Sequence, residues 1–125
     1  MSWSSKKQAT AAKSSTEAEY VALSIATQEA IWLRMLLSDL GLSTRTPIIN
    51  FEDNQGALEL TKNPSHHSRT KHIDICHQFI RERISSKEIK VEYCPTERMI
   101  ADIMTKALPK ATFEKFRNLL NVYLV

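Results

Sequence analysis

From Thr16 to Leu40 the chain carries apolar residues at helical spacing without a single proline or glycine. Ser14-Ser15-Thr16 supplies capping residues at one end, and Gly41 supplies a stop at the other. Thr16 and Glu19 have the spacing of a capping box. A helix this long inside a 125-residue chain needs an apolar layer to lie on. Ala18, Ala22, Ala26 and Ala30 form a flat ridge along it, suited to close packing on a sheet.

The rest of the chain supplies that sheet. Pro47 to Asp53 predicts a short buried strand, and Asn54 to Lys62 a short helix. Asn63 to Lys71 predicts a loop, and His72 to Ile84 a helix with Ile73, Cys76, Ile80 and Ile84 on one stripe. Lys87 to Cys94 alternates Ile89, Val91 and Tyr93 as a second strand, closed by Pro95. Thr96 then opens a helix to about Leu108, and Pro109 starts a last one carrying Phe113, Phe116, Leu119 and Leu120. The segment around Trp3 fits a short edge strand or an irregular lead-in. Strands separated by helices predict a single α/β layered domain over residues 1–125, with the two good strands parallel.

Composition narrows the function classes. With 42% hydrophobic and 25% charged residues, and only two glycines, the chain is neither fibrous nor low in complexity. It has no apolar run of membrane-spanning length, and its first residues lack the apolar core of a secretory signal. A net charge of +3 is compatible with a polyanion partner without demanding one. Cys76 and Cys94 are expected as reduced thiols.

Ligand sites of open α/β sheets gather where strands end and helices begin, and three carboxylates draw attention there. Asp53 follows Ile49 and Phe51 in alternation, so it continues a buried face, although an Asp here also serves as a helix N-cap. Glu19 falls within the arc of the alanine ridge while Glu17 lies opposite; the capping box is its alternative role. Asp102 lies four residues from both Arg98 and Lys106, so surface ion pairs account for it equally well. Together the three could converge on one cluster, and clustered carboxylates hold hard cations such as Mg²⁺.

Six blocks now stand in order: Ser2-Trp3-Ser4-Ser5-Lys6-Lys7-Gln8, Ser14 to Tyr20, Glu52-Asp53-Asn54-Gln55, Arg69 to Ile75, Tyr93-Cys94-Pro95-Thr96 and Ala101 to Lys106. In that order they closely resemble the RNase H region that ends the polyprotein of copia-type LTR retrotransposons, across essentially the whole chain. The resemblance implies an RNase H-like mixed sheet flanked by helices and Mg²⁺-dependent hydrolysis of RNA in RNA–DNA hybrids. It matches Glu19, Asp53 and Asp102 to three of the family's four catalytic, metal-binding acids. It also implies a nucleic-acid partner, an adjoining reverse-transcriptase region, no membrane, and a cytoplasmic (virus-like particle) or nuclear setting rather than secretion. Such domains look as if they begin with two further strands, the first bearing another catalytic Asp. This chain starts at Met1-Ser2-Trp3, so the expectation is a truncated domain with an open sheet and no competent activity of its own. The alternatives are a nucleic-acid-binding remnant without chemistry and a co-opted protein-interaction domain.

Between Glu59 and Asp74 there is no acidic residue, while Lys62, His66, His67, Arg69, Lys71 and His72 crowd together. Lys62, Arg69, Lys71 and His72 are the candidate phosphate contacts. A zinc site on His72, Cys76, His77 and Cys94 lacks paired-ligand spacing, and Cys76 already belongs to an apolar stripe.

Overall fold

The computed structural model describes residues 7–8, 14–42, 46–63 and 71–123, with the side chains of 71 and 72 excepted. The lead-in around Trp3 and the loop carrying Arg69 lie outside the described residues. Two compact units emerge: Ala12–Cys94, and Pro95–Val125 grouped with the N-terminal segment.

In the first unit the long helix, α1 (Ser15–Asp39), is followed by strand β1 (Ile48–Glu52), helices α2 (Gln55–Lys62) and α3 (Lys71–Ser85), and strand β2 (Ile89–Tyr93). Mixed α/β architecture is therefore as the sequence predicts. β1 and β2 pair in parallel, Ile48 opposite Ile89 and Glu52 opposite Tyr93. A parallel pair needs a crossover, and α2 with α3 provides it. Among the described residues the sheet has these two strands.

The core gathers Tyr20, Val21 and Leu23 of α1, Ala57 of α2, Ile73, Cys76 and Ile80 of α3, and Ile89 of β2. The predicted α3 stripe is thus correct. The alanine ridge is not: Ala22 and Ala26 are exposed, and α1 buries Tyr20, Leu23, Ser24 and Thr27. Larger side chains remove more apolar area from water than alanines do, at about 25 cal/mol per Å², so they win the buried face. Thr27 is tolerated there because its hydroxyl accepts a hydrogen bond from Asn50 Nδ2 at 2.8 Å. The Tyr20 ring stacks on His77 at 4.3 Å, and burial pushes its phenol up to about 12. Farther along α1, Arg34 donates to the carbonyls of Glu88 and Thr46, tying the helix to the chain just before each strand.

The ends of α1 and α3 follow one pattern. After α1, Gly41 (φ 80°) lets Leu42 N–H reach Leu37 O and Gly41 N–H reach Ser38 O. After α3, Lys87 takes the same left-handed conformation (φ 59°), with Glu88 N–H on Arg83 O. An Arg83–Glu88 ion pair of 2.7 Å spans that turn.

The second unit departs from expectation. No α-helix runs from Thr96; two 3₁₀ turns, Thr96–Arg98 and Ile100–Met104, take its place. Met99 is extended between them (φ −73°, ψ 94°), and the first turn begins on Pro95 without a side-chain cap. Helix α4 (Lys110–Leu119) begins after Pro109 as predicted and buries Phe116, but Phe113 and Leu119 are exposed.

Candidate functional site

The start of α1 meets the residues just after β1 where the Thr16 hydroxyl donates to Asn54 Oδ1 at 3.5 Å. Ser14, not Thr16, is the N-cap of α1: its hydroxyl accepts the Glu17 N–H at 3.2 Å. Glu17 is therefore the residue at capping-box spacing, and Glu19 is released from that alternative role. Glu19 stands two residues further on, half-buried at the margin of the buried face. The N-cap of α2 is Asn54, whose Oδ1 accepts the Ala57 N–H at 3.0 Å. Asp53 is thereby released from its alternative role too.

Strand β1 alternates in the opposite phase to the one its sequence suggested. Ile49 and Phe51 are exposed, Ile48 and Asn50 half-buried, and Glu52 buried. Asp53 is half-buried and does not continue a buried face with Ile49 and Phe51. The helices cover the other side, which is the side that carries Glu52.

Glu19, Glu52 and Asp53 each offer a carboxylate oxygen within 4.8 Å of the others. Two ligands on opposite sides of one Mg²⁺ stand about 4.2 Å apart, twice the usual metal–oxygen distance, so small rotations would bring Glu19 and Asp53 around an ion. At this separation two charges repel by about 3–4 kcal/mol at an effective dielectric constant near 20. The strain falls on the buried member. Burial first, then the charges of Glu19 and Asp53, push the Glu52 carboxyl up to about 7, against the hydrogen bonds it accepts from the Asn54 and Asp53 backbone. Hard oxygen donors, mutually repelling and partly dry, fit a hard divalent cation.

Sequence reasoning reached Glu19 and Asp53 and overlooked Glu52. Asp102 lies in the second unit, buried in the Ile100–Met104 turn, with its Oδ2 2.9 Å from Lys106 Nζ. Of the two ion-pair partners expected for it, Lys106 is realised. Lys62 ends α2, exposed and 3.6 Å from Glu59. Lys71 and His72 open α3 with side chains outside the described residues, where Arg69 lies entirely. Cys76 is a buried free thiol of the core, and Cys94 is half-buried. No helix among the described residues is long and apolar enough to cross a membrane.

The chain is 39% identical over 123 residues to the retrovirus-related Pol polyprotein from transposon TNT 1-94 of Nicotiana tabacum, covering 98% of the chain and 9% of that protein. It is 40% identical over 122 residues to the corresponding polyprotein from transposon RE1 of Arabidopsis thaliana, again covering 98% of the chain, and 8% of that protein. The chain is a homologue of a retrotransposon Pol segment. It spans less than a tenth of the length of these relatives. A shorter stretch of 33 residues, 26% of the chain, is 73% identical to 23% of secreted RxLR effector protein 161 of Plasmopara viticola. No family model and no solved structure matches the chain.

Proposed function

We propose that the chain is the RNase H-type region of a retrotransposon Pol polyprotein, built for divalent-cation-dependent hydrolysis of RNA in RNA–DNA hybrids. The observation that carries this reading is the approach of Glu19 and Asp53 from two different elements to within 4.8 Å, beside a buried third carboxylate. Similarity to Pol polyproteins over 98% of the chain supports it. Glu19 and Asp53 would hold Mg²⁺, which when bound supplies charge neutralisation and activates water for attack on a phosphodiester. The chain's own part is to bring the two carboxylates together and hold them in place. Asp102 joins this reading through the family resemblance alone. Lys62, Arg69, Lys71 and His72 are proposed to contact the phosphates of the hybrid, and a reverse-transcriptase region of the same polyprotein is the proposed neighbour.

The 125-residue chain carries three of the four family carboxylates, so alone it is expected not to cleave a hybrid at a useful rate. The test is to fuse a copia-type two-strand segment bearing the fourth Asp ahead of Ser2. Mg²⁺-dependent cleavage should appear in the fusion and vanish on Asp53→Asn. A fusion that folds, binds the cation and stays inert would defeat the hydrolase reading. Brisk cleavage by the unfused chain, lost in Asp53→Asn, would show instead that the fourth carboxylate is dispensable.

A further inference from the structure

The residues on both sides of Asp53 are held by more hydrogen bonds than a strand end requires. The Glu52 carbonyl accepts the Cys94 N–H at 3.0 Å, which continues the β1–β2 ladder to its last rung. The Glu52 side chain then turns forward: its Oε1 accepts the Asn54 N–H at 2.9 Å and closes a ring that has Asp53 as its middle residue. Asn54 in turn caps α2 through Ala57 and receives the Thr16 hydroxyl at 3.5 Å. Thr16 lies three residues before Glu19, on the same side of α1. Gly56 makes this approach possible, because a Cβ there would stand 2.8 Å from Thr16 Oγ1.

We propose that Glu52 is a positioning residue: by accepting the Asn54 N–H across Asp53 it fixes the direction in which Asp53 presents its carboxylate beside Glu19, and it acts as an acceptor rather than as a third metal ligand. The inference rests on the reading of Glu19 and Asp53 as a cation-binding pair. Two features separate a brace from a ligand. One Glu52 oxygen is already committed to the backbone, and at 5% exposure the residue leaves no room for the waters that Mg²⁺ retains. Glu19 and Asp53, both half-buried, have the solvent access that Glu52 lacks. A glutamine would supply the same acceptor without the charge.

The experiment uses the full 125-residue chain, with Mn²⁺ as the probe, free ion followed by electron paramagnetic resonance, and amide exchange followed at Asn54. Glu52→Gln should keep Mn²⁺ affinity within about threefold, whereas Glu52→Ala should weaken it by about tenfold to a hundredfold, as removing the hydrogen-bonded support of a metal ligand does. Asn54 exchange should quicken in Glu52→Ala and return to the parent rate in Glu52→Gln. If alanine at 52 prevents folding, Glu52→Met fills the same volume without an acceptor and replaces it. A Glu52→Gln variant as defective in Mn²⁺ uptake as Asp53→Asn would make Glu52 a ligand and overturn the proposal. So would an alanine or methionine variant indistinguishable from the parent. If the parent chain itself takes up no Mn²⁺, the cation reading of the pair fails; the brace is then judged by exchange, and unchanged Asn54 rates in Glu52→Ala overturn it.

Discussion

Glu52 and Asp53 are sequence neighbours with different fates, and the difference has a pH signature. A carboxyl held at about 7 by burial keeps its proton in the folded chain after the unfolded chain has released it. The folded state is therefore favoured at low pH, and this contribution is lost as pH rises from the ordinary carboxyl range to about 7, with no further change above. Between pH 4.5 and 8, in chelator-treated buffer, the parent should lose up to about 3 kcal/mol relative to Glu52→Gln. Urea melts of the two proteins across that range check it; parallel profiles would refute it. Glu52 escaped the sequence reading for a physical reason. Ile48, Ile49 and Phe51 put apolar residues on both faces of β1, so a period of two is visible but its phase is not. Asp53 was reached despite the wrong phase, because its place at a strand end did not depend on it.

At the scale of elements, boundaries were more legible than faces. Capping residues and Gly41 located α1 to within a residue at either end, since caps are local chemistry. Which side of α1 is buried depends on what it packs against, and nothing within the helix states that Thr27 will meet Asn50. The Thr96–Leu108 stretch failed similarly: an extended Met99 splits it, and its capping signal went unused. Two substitutions test how the elements join. Gly56→Ala ordinarily gains about 0.5–1 kcal/mol in a helix, but here the methyl would collide with the β-branched Thr16. A lowered melting temperature is expected, recovered in part by adding Thr16→Ala. Lys87→Gly, by contrast, should raise stability by about 0.5–1 kcal/mol, because the left-handed turn after α3 penalises any side chain. Thermal melts followed by circular dichroism read both.

At the scale of the molecule, alternating strands and helices correctly implied a parallel pair, because chain order alone demands a crossover. The proposed hybrid partner is tested through charge. Replacing Arg69 and Lys71 together by alanine should flatten the dependence of log affinity on log salt by about one unit for each phosphate no longer neutralised. An unchanged slope in a salt titration would remove that loop from the interface. The parallel pairing also governs how the chain reaches its fold. Every rung of the ladder joins residues on opposite sides of α2 and α3, so the sheet cannot zip outward from a tight turn. Isolated helical turns form within about a microsecond, whereas the ladder must wait until the whole crossover has docked. The tip of β1 beside Asp53 therefore gains its last rung, from Cys94 to Glu52, late in folding, after β2 has emerged and closed against β1.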